Sequence, residues 1–448
     1  MTQGGKSTPV YIVTDEEIAS GAFTVEAGSA IPISLLESTN RGVMGGNSTP
    51  IYIVDADYVG SHGIKDGLQA LPVVDLTNVR PISSPHRAIP AYITHYDLLS
   101  FLFHDAFVTN EPAPLSSPRT AEPGPGILTI TDTDNKASIA SGALHLAPHS
   151  TPAGGDPGVW GGALARTCGR ALLARVTLAA INTSVKIGWD SDQASTAQHN
   201  SLSFNSDGKI DPTTSGSTAA ADTATYTTAQ QDLAIILRAA GAYFLRRTST
   251  DWDLLWADDT DTTATLYPAI TNYNATLDAD WLRVAGLPAP FNTQYGLATH
   301  RTAGAVAQGT TFTHEADFVM RFTLTTVSSG DPIYVRFRIQ DATHYWYIAI
   351  SSTGGLSLWE YNAGAINRIN VAAGLSGGEV ITVIADDTTI MVYYGSTQAG
   401  SYNSAANFKT ETDGVLFGLG TGGAIADLVT YPRTMSGAAK TALDLAAI

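Results

Sequence analysis

Cysteine is almost absent: Cys168 is the only one in 448 residues, which excludes an intramolecular disulfide framework and leaves stability to packing and assembly. With neither His nor Lys beside it in sequence, Cys168 reads as a small buried apolar residue and not as a reactive thiol. Charge is scarce as well, at 15% of residues, and basic side chains are outnumbered 24 to 41 for a net charge of −17. Such a field repels phosphate backbones and anionic lipid, so nucleic acid is not expected as a partner. No segment reaches the length of a membrane span, and residues 1–25 lack a basic start followed by an apolar run, so neither membrane insertion nor a signal peptide is expected. Walker loops, nucleophile elbows, His-Glu-x-x-His and Cys-pair zinc spacings are all missing.

What is present is alternation. Residues 317–359 place Phe318, Met320, Phe322 and Leu324 on one face and Val319, Arg321, Thr323 and Thr325 on the other. After a Ser-Ser-Gly-Asp-Pro turn, Ile333, Val335, Phe337 and Ile339 point one way and Tyr334, Arg336, Arg338 and Gln340 the other. Trp346, Ile348 and Ile350 repeat the pattern and are expected in a core. These are half-buried antiparallel strands. An apolar content of 44% supplies real cores, and abundant Gly, Ser, Thr and Ala suit a sandwich with many tight turns.

Residues 1–95 carry an internal repeat. GGKSTPVYIVTDEE from Gly4 and GGNSTPIYIVDADY from Gly45 match at an offset of 41 residues, with weaker copies around Pro32, Pro72 and Pro90. Each unit is a proline at a strand start followed by a short extended run. Strands this short cannot bury both faces alone, so an extended arm that pairs with another surface or subunit is expected, with Pro9, Tyr11, Pro32, Pro50, Tyr52, Pro72 and Pro90 as its assembly residues. A flexible leader is the alternative.

Residues 96–126 are expected to form a short helix followed by a linker. Leu98, Leu99, Leu102, Phe103 and Phe107 fall at helical spacing, and Asn110–Gly126 holds five prolines, which marks a stiff spacer and a domain boundary. His95, His104 and Asp105 lack a convergent third ligand, which argues against a metal. Residues 127–287 and 288–448 then read as two copies of one design. ALLARVTLAAINTSVKIGWDS (171–191) aligns with the strands from Phe318, NSLSFNSDGKI (200–210) with those from Tyr345, and DADWLRVAGLP (278–288) with GAIADLVTYPR. TTAQQDLAIILRAAGAYFLRR (227–247) is helical by propensity, yet it aligns with the hairpin VITVIADDTTIMVYYG, so both are expected as strands. A closing helix capped by Ser436 is expected at the C-terminal end of the sequence. The fold class is thus all-β: two tandem antiparallel jelly-roll sandwiches preceded by the proline-strand arm.

DATHYWYIAISSTGGLSLWEYN, the hairpin VITVIADDTTIMVYYG and the closing IADLVTYPRTMSGAAKTAL resemble the laminin G-like or concanavalin A-like jelly roll. The GGxxTPxYIV units and WDLLWADDTDTTATLYPAITNYNATLDADWLRV look like segments of phage virion structural proteins. The resemblance implies glycan binding, protein binding or a spacer role, and fold alone does not choose among them. Glycanases of this fold carry Glu-x-Asp-x-x-Glu on one strand. The nearest string here, Glu315-Ala-Asp317, has Met320 in the last acidic position, so no enzyme is expected.

Tyr345, Tyr347, Trp359 and Tyr361 lie on alternate positions and, where exposed, are candidates for stacking on sugar rings, with Tyr334, Arg336 and Arg338 as similar outer-face candidates, unless they pack against a neighbouring domain or subunit. Asp251, Asp253, Asp258, Asp259 and Asp261, and Asp386 with Asp387, form acidic clusters. They read as solvated turns, with calcium the weaker alternative and no other cofactor expected. The expected role is a virion fibre, spike or capsid-decorating protein, displayed on a virion or extracellular surface and self-assembling as a homo-oligomer, with a trimer as one form. Its partners would be other virion proteins and a cell-surface glycan. A bacterial filament protein polymerising by strand donation is the alternative, and a lectin-fold hydrolase a remoter one.

Overall fold

Alternating strands of this length gain little unless one face is covered, and in this chain the covering is done by other sheets. The computed structural model describes residues 101–148, 157–181, 184–193, 199–272 and 274–447. The proline-strand units, with Pro9, Tyr11, Pro32, Pro50, Tyr52, Pro72 and Pro90, lie outside the described residues.

Two antiparallel sandwiches follow one another. In the first, an eight-stranded sheet runs Asp251–Ala257, Ala242–Thr248, Gln231–Leu237, Arg170–Leu178, Leu277–Gly286, Ala143–Leu146, Ala137–Ala140, with Phe101–Asp105 also on Leu277–Gly286. It faces a ten-stranded sheet whose centre is Asn200–Phe204, Val185–Asp190 and Thr265–Asn272. In the second, a six-stranded sheet runs Thr397–Tyr402, Thr389–Tyr394, Val380–Asp386, Phe318–Thr326, Ala424–Pro432, His300–Ala305. Its partner runs Ala365–Val371, Leu356–Asn362, His344–Ile350, Ile333–Asp341, Asp413–Gly418, Thr311–Thr313. Segments that align in sequence occupy the same places in the strand order, so the duplication is one of topology. The run 227–247, helical by propensity, forms the hairpin of Gln231–Leu237 and Ala242–Thr248, with Leu237 opposite Ala242. Gln231–Leu237 is buried at every position, which is why it lacks polar alternation.

The sandwiches pack on each other. Trp256 meets Tyr393 at 5.4 Å between ring centroids and Tyr243 meets Tyr431 at 5.6 Å, both edge-on. Arg238, fully buried, donates to the carbonyls of Gln294 (2.7 Å) and Asp258 (2.6 Å) and to Tyr431 Oη (3.1 Å). Arg321 reaches back to the Ala257 carbonyl and pairs with Asp259. After the last strand, Arg433 O accepts from Leu254 N–H (2.7 Å) and Met435 N–H donates to Trp252 O (2.8 Å). The chain leaving the second sandwich thus closes the edge strand of the first, removing an unpaired edge. The helix Gly437–Ala447 then lays Ala439, Ala442, Leu443, Ala446 and Ala447 inward. Its first turn is closed by the Ser436 carbonyl accepting from Lys440 N–H, and Trp252 Nε1 donates to its Asp444.

Three sequence expectations are corrected. Residues 101–105 form a strand, not a helix, paired with Leu277–Gly286; a short apolar run fits either period, and the open sheet edge decides. His104 there accepts from Arg283 Nε at 3.0 Å, and Asp105 from Phe107 N–H at 2.7 Å. The proline-rich stretch 110–126 is no spacer. Leu115, Arg119 and Ala121 are buried, Arg119 pairs with Asp105 and Glu111, and Arg119–Thr120 pairs with the strand Ile127–Thr131. A Cβ at Gly126, where φ is +120°, would stand 2.3 Å from the Phe103 ring, so glycine lets this turn lie against the first sandwich. Cys168 is free and only half-buried.

Candidate functional site

The second sandwich presents one sheet to the first and leaves the other sheet's outer face as its far surface. Four neighbouring strands build that face: Leu356–Asn362, His344–Ile350, Ile333–Asp341 and Asp413–Gly418. Their alternation sends Ile333, Val335, Phe337, Trp346, Ile348, Ile350, Leu356, Leu358 and Leu416 into the core. The opposite parity carries Tyr334 and Arg336, Tyr345 and Tyr347, Trp359 and Tyr361, and Val415 and Phe417. Direct cross-strand pairing sets Tyr345 opposite Tyr361, Tyr347 opposite Trp359, and Arg336 opposite Tyr347. Aromatic pairs at such positions stabilise a sheet face while keeping ring faces aligned.

The result is an ordered set of rings. Tyr345 and Tyr361 lie 5.1 Å apart and 3° from parallel, and Tyr347 and Trp359 6.1 Å apart and 8° from parallel. Tyr334 meets Tyr347 edge-on at 5.8 Å. Trp359 Nε1 donates to Ser357 Oγ at 2.8 Å, fixing the indole. Arg336 stands over Tyr345 at 4.1 Å and over Phe417 at 3.3 Å. Tyr345 is buried and forms the floor, whereas Tyr334, Tyr347, Trp359 and Tyr361 are half-buried and Phe417 is 49% exposed. Burial, then the neighbouring Tyr334 and Tyr345, push the Tyr347 hydroxyl up to about 12, so it remains a neutral donor at physiological pH.

Arg338 does not belong to this face. Its φ is +48°, and pairing with the next strand is irregular between Phe337 and Asp341. That change of backbone hand turns the side chain inward, where it is fully buried and donates to Ala316 O (2.9 Å) and Asp317 Oδ1 (3.3 Å). Strict alternation cannot foresee such a break. Conversely, Phe417 escaped the sequence reading although Val415-Leu416-Phe417 carries the same alternation. Trp346 is core, its Nε1 donating to Asn407 O at 2.8 Å.

The acidic residues are engaged elsewhere. Asp317 holds Arg338 and accepts from Asp387 N–H. Asp261 is gripped by Arg166, Asn200 and Thr263, Asp253 by Thr248 and Thr434, Asp386 by Arg433 and Asp387 by Lys409. Among the described residues, no three His, Cys, Asp or Glu side chains converge as a metal site. In the first sandwich, Asp190 is fully buried beside Trp160, whose Nε1 donates to it at 3.3 Å, and burial pushes its carboxyl up to about 6.

No family model and no curated protein matches this chain. Solved structures do. A β-1,3-glucanase from Mycobacterium marinum is 13% identical, over 41% of this chain and 98% of its own, with a TM-score of 0.29. The CBM40 module of the Ruminococcus gnavus IT-sialidase, solved with α2,3-sialyllactose, is 10% identical over 34% of this chain and 100% of its own, with a TM-score of 0.25. A leech intramolecular trans-sialidase is 11% identical over 34% of this chain and 28% of its own, with a TM-score of 0.24. The expectation that the chain is no enzyme is corrected to an open one: two of these three similar structures are enzymes, and the likeness is too slight to assign activity either way. At such identities and scores the likeness carries no argument about substrate.

Proposed function

We propose that this protein is a surface-displayed adhesion protein that binds glycan through the aromatic face of the second sandwich. The observation that carries the reading is the pairing of Tyr347 with Trp359 and Tyr345 with Tyr361 as near-parallel rings on one open sheet face. Flat rings match the apolar faces of pyranoses, and the hydroxyls of Tyr334 and Tyr347 and the Arg336 guanidinium supply polar contacts at the rim. The setting we propose is a phage virion, where the two-sandwich body is the exposed part and residues 1–95 form the arm that docks or assembles. That setting rests on the GGxxTPxYIV units, and homo-oligomerisation through the arm is part of it.

A glycan array read with the full chain and with Trp359→Ala tests the binding. Signal on a defined set of glycans, lost in a variant that melts normally, is expected; binding unaffected by the substitution refutes the assignment of this face. Light scattering on the full chain and on a chain lacking residues 1–95 tests the arm. Closed oligomers that become monomers on deletion are expected, and a monomeric full chain counts against it. The deletion must stop short of residue 101, because residues 101–126 are built into the first sandwich.

A further inference from the structure

The glycan reading leaves open which sugars the face selects, and one side chain on it bears on the choice. Arg321, Arg338, Arg368 and Arg433 of the second sandwich each meet a carboxylate, from Asp259, Asp317, Glu360 and Asp386 respectively. Arg336 meets rings: Tyr345 at 4.1 Å on one side and Phe417 at 3.3 Å on another. Burial acts on it first and then the phenols of Tyr345, Tyr347 and Tyr361, which are neutral at physiological pH, with no Asp or Glu from the described residues among them. Of the two strands beside it, His344–Ile350 carries no acidic residue and Asp413–Gly418 carries Asp413 alone, two positions along from Val415, the residue opposite Arg336; Glu360, two strands away, is buried on the other side of the sheet and taken by Arg368 and Asn407. A guanidinium held between two rings has little freedom to swing and presents its N–H donors edgewise. That planar fork fits the two oxygens of a carboxylate.

Building on the glycan-binding reading, we propose that this face selects a carboxylated pyranose, with the carboxylate on Arg336 and the neighbouring sugars stacked on Trp359, Tyr347 and Tyr361. The class is a glycan in which acidic sugars are spaced by neutral ones. The chain's net charge of −17 opposes a dense polyanion, but at physiological salt it is screened beyond about 8 Å, so an isolated carboxylate feels chiefly its immediate partner. A charge-assisted bidentate contact at a half-buried site is strong enough to decide preference by tenfold or more.

The test is an array of sialylated, glucuronate-containing and galacturonate-containing oligosaccharides. Each is printed beside its carboxyl-reduced counterpart and a densely sulfated heparin fragment, and all are read with the full chain, Arg336→Gln and Arg336→Lys. The proposal expects carboxylated members to bind at least tenfold tighter than their reduced counterparts, with heparin weaker. Arg336→Gln should erase that difference while leaving the neutral signal, and Arg336→Lys should restore only part of it. Equal binding of both forms overturns the proposal and leaves glycan binding standing, as does a carboxylate preference that survives Arg336→Gln. Heparin bound above all others overturns the spaced-carboxylate class, and no signal on any member overturns both this proposal and the glycan reading. If Arg336→Gln melts early, Arg336→Lys against the reduced sugars carries the comparison.

Discussion

Tyr347 and Trp359, opposite one another on adjacent strands, hold their rings 6.1 Å apart and within 8° of parallel. The pair sits on the outer face, one residue in sequence from Trp346, whose indole is fully buried in the core. Substitutions at these neighbours should therefore separate. Trp359→Ala or Tyr347→Ala is expected to weaken glycan binding by about 1–2 kcal/mol, roughly five- to thirtyfold in Kd, with little change in melting. Trp346→Ala is expected to cost about 3–5 kcal/mol of stability through the cavity it leaves. Calorimetric titration and urea unfolding of the three variants make the comparison.

The buried Arg238 joins the two sandwiches through Gln294 O and Tyr431 Oη and is held within its own by Asp258 O. Arg238→Ala leaves buried acceptors without a donor and should destabilise by about 3 kcal/mol or more. In urea, the single unfolding transition expected of the wild type should shift to lower concentration or split in two as the sandwiches uncouple. An unchanged single transition would show that the interface is not held by this side chain.

Acid should weaken the fold. His314 is buried, with Nε2 accepting from Arg338 N–H at 3.2 Å and Nδ1 donating to Glu315 O at 2.7 Å, and desolvation lowers it to about 4. His104, also buried, is lowered to about 4 by desolvation and then by Arg283. Because the unfolded state titrates near 6.5, it binds more protons than the folded state between pH 6.5 and 4. Stability from each histidine is therefore full above pH 6.5 and lost as pH falls to 4, by about 3 kcal/mol at most. Melting against pH should show a slope over this window that His314→Gln reduces.

Asp190 has the opposite sign. Its folded carboxyl titrates near 6 because burial opposes its charge, so the folded state binds the extra proton. The group costs stability as pH rises from about 4 to 6, and that cost is fully developed at neutral pH. Asp190→Asn is expected to raise the melting temperature at pH 7 and leave it nearly unchanged at pH 4. A fall at pH 7 would mean that its charged form is needed, which would point to a role in the first sandwich beyond packing.

Much of the fold could be read from alternation, because period-two faces were separated by recognisable turns and the tandem alignment resolved the helix-like stretch 227–247. What escaped depended on neighbours distant in sequence. Phe101–Asp105 is a strand because Leu277–Gly286 offers an edge. The proline-rich run 110–126 is held on the first sandwich, where Arg119 finds Asp105 and Glu111. On the ring face, six of the seven sequence candidates lie together. Arg338 leaves it through a single positive φ, and Phe417 joins it from a strand 80 positions beyond Phe337 in sequence. Function was less legible, since stacked rings on a sheet serve equally for sugar and for protein until the partner is seen.

Glycan is proposed to sit on the outer face of residues 333–362 and 413–418. Hydrogen–deuterium exchange on the full chain, with and without the glycan that scores highest on the array, reads this directly. Slowed exchange confined to those two segments, and absent in Trp359→Ala, is the expected result. Protection in the first sandwich alone, or none in these strands at saturating glycan, would contradict it.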